Sequence, residues 1–506
     1  MICHRLRYRS AAPLIFFTAV LLLLLLRPLP LSGFDLEERV QKHVLSNGLT
    51  VLLFDRHHSP TVSLYIRYRA GAVDEAEGKT GMAHLLEHMM FKGTRTIGTK
   101  GFSQERRFLD QIAETGRLLD GERRKKGQAA DAAKIATLAS RLARLQQAHR
   151  RWTISNEIDR LYTENGATDL NASTGQDLIT YHVSLPANKI ELWARIESDR
   201  MRNTIFREFF TERDVVMEER RQRSESDPDG KLYEQFLAAA FTAHPYRRPI
   251  LGWPSDMQNL DMVSMADFYR RTHAPNNTVI AVVGDVNPDA AMKLIRRYFG
   301  AIPRQLPSDF PPTEEPPQRG ERRVDVRFEA NPQLVIGYHK PPPPDFDDYV
   351  LDVIESVLSR GRTSRFHKRL IEERGLAETV EAVNGLPGSR YPNLFSIFAT
   401  PRHPHSAREL EEAIYVEIDR LKSEPVEERE LTKIKNQVKA NYLRGLNSNA
   451  GLAGMLSYYE ALLGDYRYAV RHPDKIEQIT AADVQKAAQR YFTPDNRTVA
   501  TIVKGP

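Results

Sequence analysis

One short segment of the chain, Gly81–Thr94, carries side chains that can hold a metal ion and move a proton. It contains the pattern H-x-x-E-H, formed by His84, Glu87 and His88. If the segment is helical, the two histidines project from one face, where their imidazoles can bind zinc. Glu87 lies on the same side and can reach a water molecule at the metal. This order of residues is the inverted form of a zinc-protease signature.

The pattern also arises by chance, since a histidine on a helix is more often a surface residue or a satisfied core residue. The neighbouring residues argue against chance. Leu85, Leu86, Met89, Met90 and Phe91 are apolar, and they predict a buried helix. Two histidines and a glutamate on a buried helix are costly unless they are paired or bind a metal. We therefore interpret the motif as two zinc ligands and a base.

A third zinc ligand must come from elsewhere, because catalytic zinc usually has three protein ligands and water. Glu212 and Glu219 are seven residues apart in an acidic segment, so on a helix they lie nearly in line, with Val215 and Val216 between them. A carboxylate beside an apolar stripe is better placed than Glu218 to meet a buried metal. We expect Glu219 to be the ligand and Glu212 to orient a ligand or the water. Taken alone, the segment is more simply explained as a solvated acidic helix.

The N-terminal residues 1–33 resemble a secretory signal. Three arginines are followed by an apolar run over residues 11–26, and Leu31-Ser32-Gly33 offers a small residue at a cleavage point. The run is short for a membrane-spanning helix, although an uncleaved anchor stays an alternative. We expect export across the inner membrane into the periplasm, with membrane attachment only through an uncleaved N-terminal segment.

Charge and cysteine content narrow the function classes. Residues 1–33 contain four Arg and no acid, so the chain without them carries a net charge of +2 instead of +6. This balance argues against nucleic acid as a partner. The single cysteine, Cys3, lies in the predicted signal, so the exported protein would have no disulfide. Export without disulfides suggests a bacterial periplasm.

The chain repeats a pattern at long range. Residues 264–284 predict a helix capped by Ser264, a Pro-Asn turn and a β-branched strand, and residues 480–503 predict the same order with Thr480 as the cap. We therefore predict an α+β fold with two related halves, each a mixed sheet with helices packed on it. The predicted limits are 34–300 for the zinc-binding half and 323–506 for the half without a metal site. Residues 301–322, which contain six prolines, are predicted to be an extended linker.

A helical insertion is predicted over about residues 103–156. Ile135, Leu138, Leu142 and Leu145 follow an a/d-type spacing, and the other faces are rich in Lys and Arg. We expect a solvated helical hairpin, and a membrane-surface or partner-binding arm is the alternative.

The motif and the later Glu212–Glu219 segment together resemble the insulinase/pitrilysin family of zinc peptidases, and more closely its bacterial and mitochondrial-processing branch. The resemblance covers nearly the whole chain after residue 33. It implies that His84, His88 and Glu219 bind one Zn²⁺ per chain and that Glu87 is the base. Glu212 matches the family's further glutamate, which is not a ligand.

The resemblance also implies a cleft between the halves, lined by a strand that pairs with the substrate. The residues that match this strand are Asn171, Ala172, Ser173 and Thr174. His88 and Glu219 are separated by 131 positions, more than in short family members, and the excess falls in the predicted insertion. The second half has no H-x-x-E-H, as is normal in the family. The Arg and Tyr that some members use to hold substrate cannot be placed here, which suggests that a partner subunit supplies them.

These observations predict a zinc endopeptidase that cleaves unfolded peptides or small polypeptides. We expect peptide substrates. A homodimer and a heterodimer with a related half-subunit that lacks the motif are the alternative assemblies. One rival hypothesis is a non-catalytic assembly subunit that keeps the fold, although such subunits generally lose motif residues. A third hypothesis is an enzyme that is active only beside a partner.

Overall fold

The computed structural model describes residues 36–125, 129–305 and 311–504. Contacts divide the chain after Val40. The described part of the first unit is the short helix α1, Leu36–Arg39, followed by Val40. All other described residues belong to the second unit. The predicted signal, residues 1–33, lies outside the described residues.

The first sheet of the second unit has six strands in the order β1-β2-β6-β3-β5-β4. Its strands are β1 Gln41–Val44, β2 Thr50–Asp55, β3 Thr61–Tyr68, β4 Thr168–Thr174, β5 Ile179–Pro186 and β6 Thr278–Gly284. β2 and β6 pair in parallel, and every other neighbouring pair is antiparallel. β6 is buried throughout, as its run of β-branched residues favours. β4 is an edge strand.

The second sheet has five strands in the order β7-β11-β8-β10-β9. Its strands are β7 Arg322–Arg327, β8 Leu334–Lys340, β9 Ala377–Leu386, β10 Asn393–Pro401 and β11 Arg497–Val503. β7 and β11 pair in parallel, and the other neighbours are antiparallel. This is the order and direction of β2-β6-β3-β5-β4 in the first sheet. The prediction of two related α+β halves is therefore confirmed.

Helices cover both sheets. Those from residue 82 to residue 299 are α2 Met82–Met90, α3 Phe102–Arg123, α4 Ala132–His149, α5 Glu157–Thr163, α6 Ile190–Asn203, α7 Phe209–Arg220, α8 Pro228–Ala240, α9 Pro254–Asn259, α10 Met262–Thr272 and α11 Pro288–Phe299. Those after residue 322 are α12 Phe346–Ser359, α13 Ala407–Ser423, α14 Glu428–Gly445, α15 Asn449–Leu463, α16 Arg467–Gln478 and α17 Ala481–Tyr491. Over the described residues, no helix is long and apolar enough to cross a bilayer.

The two predicted helix caps have different outcomes. Thr480 caps α17, and its hydroxyl accepts a hydrogen bond from the backbone N–H of Asp483. The prediction for Ser264 was wrong. The helix α10 begins at Met262, so its cap is Asp261, three residues before the predicted cap. An aspartate fits that position equally well, since its carboxylate accepts hydrogen bonds from free backbone N–H groups at the start of the helix.

Each sheet carries a helix contributed by the other half. α15 lies on β3 and β6 of the first sheet, where Arg67 donates a hydrogen bond of 2.9 Å to Ser457 Oγ. α8 lies on β7, β8 and β11 of the second sheet. Phe236 of α8 packs so closely over Gly337 that a Cβ on this glycine would lie 2.4 Å from the ring. Through α8 the halves share one apolar core, and through α15 they share polar contacts such as the Arg67–Ser457 hydrogen bond.

α3 and α4 pack against each other where the insertion is predicted. Leu138 and Leu142 are buried, and they join the core of the first half. A buried ion cluster fixes the pair: Glu105 accepts hydrogen bonds from His149 at 2.9 Å and from Arg207 at 2.6 Å. Burial raises the pKa of Glu105, but these two partners outweigh it and lower the pKa to about 2. Arg207 also donates to backbone carbonyls of residues 92, 94 and 97, which follow α2.

Candidate metal centre

The H-x-x-E-H motif lies on α2, a helix whose apolar side chains are buried in the core of the first half. Gly81 precedes the helix with a positive φ of 87°, which favours glycine. The buried carboxylate of Glu75 accepts hydrogen bonds from the backbone N–H of Gly81 at 3.0 Å and of Ala83 at 2.7 Å. Burial raises the pKa of Glu75 to about 8. The start of the motif helix α2 is therefore held by a side chain outside it.

His84, His88 and Glu219 come together although 131 positions separate the last two. Their ligand atoms all lie within 4.8 Å of one another. Glu219 Oε2 is 3.1 Å from His84 Nε2 and 3.6 Å from His88 Nε2. The hydrogen bond from His84 is the largest effect on the pKa of Glu219, which is lowered although burial acts in the opposite direction. In the part of the chain that the structure describes, this is the one group of three such residues that could hold a metal ion.

Glu212 lies one layer behind His88. Its Oε2 is 3.3 Å from His88 Nδ1, and its Oε1 is 2.5 Å from the Lys92 ammonium. The hydrogen bond to Glu212 is the largest effect on the pKa of His88, which is raised. When Nδ1 of His88 donates to Glu212, the lone pair of Nε2 is left facing the other two ligand atoms. Carboxylates commonly orient metal-binding histidines in this way.

Glu87 occupies the position expected of a base. Its side chain is 13% exposed, and Oε2 lies 3.8 Å from His84 Nδ1. Thr174, the last residue of β4, donates a hydrogen bond of 2.5 Å from its hydroxyl to Glu87 Oε2. The Glu87 carboxylate is therefore oriented by the strand that the sequence proposes for substrate binding.

A cavity of about 610 Å³ opens over these residues. It is bounded by the two histidines, by Glu87 and Glu219, and by the predicted strand residues Asn171, Ala172, Ser173 and Thr174. On another side Tyr233 and Leu237 of α8 line it, and Pro387 of the second half also reaches it. The first half therefore supplies most of the lining of this open cavity, and the second half contributes Pro387.

The structure corrects one step in the choice of Glu219. The sequence argument treated Val215 and Val216 as one apolar stripe between Glu212 and Glu219. Val216 is buried, whereas Val215 is 45% exposed. Glu218 is exposed and pairs with Arg221, as the argument requires. One valine, not two, separates the two inward-facing carboxylates.

Zinc fits this donor set. Two imidazole nitrogens and one carboxylate oxygen form a ligand set found in catalytic zinc sites. The Glu212 contact leaves a free nitrogen lone pair on His88 that faces Glu219. The two imidazole rings, whose centroids are 4.9 Å apart, lie beside the Glu219 carboxylate at the cavity.

Several contributors to the site were not predicted. Lys92 pairs with Glu212, and Glu75 holds the start of α2. Lys92 stands four residues after His88, so its helical spacing was a usable signal, whereas nothing local marks Glu75.

Two family models match the chain. The model of insulinase (peptidase family M16) matches residues 50–113, which include the motif, and the model of the peptidase M16 inactive domain matches residues 259–438. The chain contains domains of the M16 (insulinase) peptidase family. The resemblance inferred from the motifs is confirmed.

Relatives of this M16 chain include zinc protease PqqE of Helicobacter pylori, which is 24% identical over 462 residues covering 90% of each protein. A crystal structure of a protease from Helicobacter pylori superposes with a TM-score of 0.77 at 23% identity, over 92% of this chain and 99% of that one. The periplasmic protease PqqL from Escherichia coli superposes with a TM-score of 0.67 at 16% identity, over 92% of this chain but 48% of PqqL. These structures share the fold.

Proposed function

We propose that the protein is a zinc-dependent endopeptidase that cleaves unfolded peptides or small polypeptides. The observation that carries this proposal is the convergence of His84, His88 and Glu219 within 4.8 Å, with Glu87 beside them in an open cavity. The zinc-protease names of several relatives agree with it. One zinc ion per chain would be held by the two histidines and Glu219.

The residues divide the chemistry among them. Zinc, when bound, acts as a Lewis acid that polarises the scissile carbonyl group and lowers the pKa of water to about 7. Glu87 accepts the proton of the attacking water and later delivers it to the leaving amine. Thr174 holds the Glu87 carboxylate in place through its hydroxyl. Glu212 fixes the ring of His88, and Lys92 balances the charge of Glu212.

The substrate would add to the first sheet as a further strand along β4. β4 is an edge strand whose inner side pairs with β5, so its outer backbone groups face the cavity side. In this arrangement the main chain of the peptide is recognised along Asn171, Ala172, Ser173 and Thr174. A folded protein cannot offer such an extended segment, so unfolded peptides are favoured.

The decisive experiment is hydrolysis of a mixed peptide library by the purified protein before and after chelation. We expect about one zinc per chain, loss of cleavage on chelation and recovery on addition of zinc but not of magnesium. A stably folded protein that contains no zinc and cleaves nothing would instead support the non-catalytic assembly subunit.

A partner-dependent enzyme is the second candidate. The part of PqqL that this chain matches is 48% of that protein, so PqqL is about twice as long as the matched part. A homodimer, or a heterodimer with a related subunit that lacks the motif, would supply an equivalent arrangement. Activity that appears only after a motif-less relative is added, with zinc already bound to the isolated chain, would identify this case.

We propose a periplasmic location, reached through the predicted signal in residues 1–33. The printed description of PqqL as periplasmic agrees with this location. Cell fractionation with N-terminal sequencing of the exported protein tests both the location and cleavage after the signal, and a full-length N-terminus in the membrane fraction would support the anchor instead. Nucleic acid has no place in this proposal.

A further inference from the structure

The β9–β10 loop of the second half, residues 387–392, reaches the first half beside the candidate metal centre. Pro387 lines the same cavity as the motif. Gly388 fits so tightly that an added Cβ would lie 2.5 Å from Asp177 Oδ2 and 2.6 Å from the Tyr246 hydroxyl. The loop therefore packs directly against first-half residues at this point.

Asp177 anchors this loop. Its Oδ2 accepts hydrogen bonds from the backbone N–H of Ser389 at 2.6 Å and of Arg390 at 3.1 Å. Its Oδ1 accepts one from the Tyr246 hydroxyl at 2.7 Å. Asp177 is 6% exposed and follows the last residue of β4, Thr174, by three positions. The loop is thus fastened to the end of the proposed substrate strand.

Arg390 connects the same loop to the metal-binding helix. Its Nη1 donates to both carboxylate oxygens of Asp74, at 3.0 and 3.2 Å, and its Nη2 donates to the backbone carbonyl of Asp177. Asp74 is the neighbour of Glu75, whose carboxylate holds the first N–H groups of α2. Through Nη1 to Asp74 and Nη2 to the Asp177 carbonyl, one guanidinium therefore bridges the segment before α2 and the segment after β4 with charge-assisted hydrogen bonds.

These two connections meet in the backbone. The N–H of Ala72 donates to the carbonyl of Gly175 at 3.1 Å, and the N–H of Val73 donates to that of Gln176 at 3.0 Å. The segment before α2 and the segment after β4 therefore form one bonded unit, and Arg390 ties that unit to the second half.

We propose that Arg390, which belongs to the half without metal ligands, is a positioning residue for the zinc-binding helix and the substrate strand. It acts through Asp74 and Glu75 on α2, and through Asp177 on β4. This inference rests on the proposed function. The second half then acts on the reaction because its Arg390 sets the distance between the bound peptide and the metal ligands.

Hydrogen exchange on the metal-free full-length protein tests the positioning directly. Arg390→Ala removes the charged contact, and Gly388→Ala pushes the loop from Asp177 without removing a charge. We expect both variants to exchange faster over residues 81–90 and 168–178. Arg408→Ala is the matched control, because Arg408 is an exposed second-half arginine that pairs with Glu412 on its own helix. Unchanged exchange in both test variants would overturn the inference.

Kinetics provide the second test. We expect Arg390→Ala to lower kcat/KM about tenfold, since small displacements of reacting groups have large effects on rate. Asp74→Asn should act mainly on kcat, because it loosens the metal-binding helix. Asp177→Asn should act mainly on KM, because it loosens the substrate strand. Wild-type kcat/KM in Arg390→Ala, or effects of both aspartate variants on stability alone, would refute the positioning role. If the wild-type protein shows no zinc-dependent hydrolysis, the proposed function fails and the exchange data alone decide the positioning role.

Discussion

Replacement of Glu87 by glutamine separates the chemistry of the site from its architecture. Glu87 receives a 2.5 Å hydrogen bond from the Thr174 hydroxyl, and the amide oxygen of glutamine can accept the same bond. The side chain is also nearly buried, so an isosteric change leaves its packing intact. The variant loses only the capacity to accept a proton. We therefore expect normal folding and normal zinc content.

The expected loss follows from the role of a general base, which contributes about a hundredfold to ten-thousandfold to a rate. In free energy this is about 3–5 kcal/mol of transition-state stabilisation. The loss should appear in kcat, with KM little changed, because in the proposed function β4 and not Glu87 binds the peptide. The effect is large enough to be measured with a quenched fluorescent peptide.

The assay combines that peptide with zinc determination by mass spectrometry. Glu218→Gln is the matched control, since Glu218 is an exposed glutamate that pairs with Arg221 and faces away from the cavity. It should keep full activity. Activity of Glu87→Gln within a few-fold of wild type, with zinc present, would refute the assignment of Glu87 as the base. Loss of zinc in Glu218→Gln would refute the choice of Glu219 over its neighbour.

Three further outcomes are expected. Glu212→Gln should weaken zinc binding about 10- to 100-fold in a competition titration, because the carboxylate that orients His88 is lost. Glu208→Gln is the control and should leave the zinc affinity unchanged. Equal zinc affinities of Glu212→Gln and the wild type would contradict this role for Glu212. Gly337→Ala should lower the free energy of unfolding by about 1–3 kcal/mol, because the added methyl group overpacks against Phe236. Gly121→Ala is the control, since Gly121 lies in open space on α3, and it should raise the free energy of unfolding by about 0.5–1 kcal/mol. Chemical denaturation measures both changes, and a stabilising Gly337→Ala would contradict the close packing. Glu105→Gln should destabilise the fold by about 3 kcal/mol at pH 7, because it breaks a buried ion cluster. The pKa of Glu105 is lowered to about 2, so its stabilising effect is present above its unfolded value of 4.5 and should fade as pH falls through about 2; a destabilisation independent of pH would contradict this.

The sequence predicts the parts of the site that depend on local spacing. His84, Glu87 and His88 could be placed because their positions on one helix fix their relative directions. Glu219 could be distinguished from Glu218 by helix face, although Val215 proved to be exposed. The fold class was predictable from the repeated helix–turn–strand order.

Other features depend on contacts between distant segments. Nothing near Glu75 in sequence indicates that it holds the start of α2, and nothing near Arg390 indicates that it reaches Asp74, which lies 316 positions away. Neither α8 nor α15 carries a pattern that says which sheet it covers. An apolar helix face predicts burial, but it does not identify the surface that buries it.

The exchange of α8 and α15 between the halves has a consequence for how mutations should be interpreted. Each sheet is covered in part by a helix from the opposite side of the linker, and in the second sheet that helix, α8, supplies apolar side chains to the core. A lesion in residues 449–463 is then a lesion of the metal-bearing sheet, and a lesion in residues 228–240 weakens the sheet that has no metal ligands. The chain should therefore unfold in one cooperative transition, because each sheet is covered by a helix from the other half.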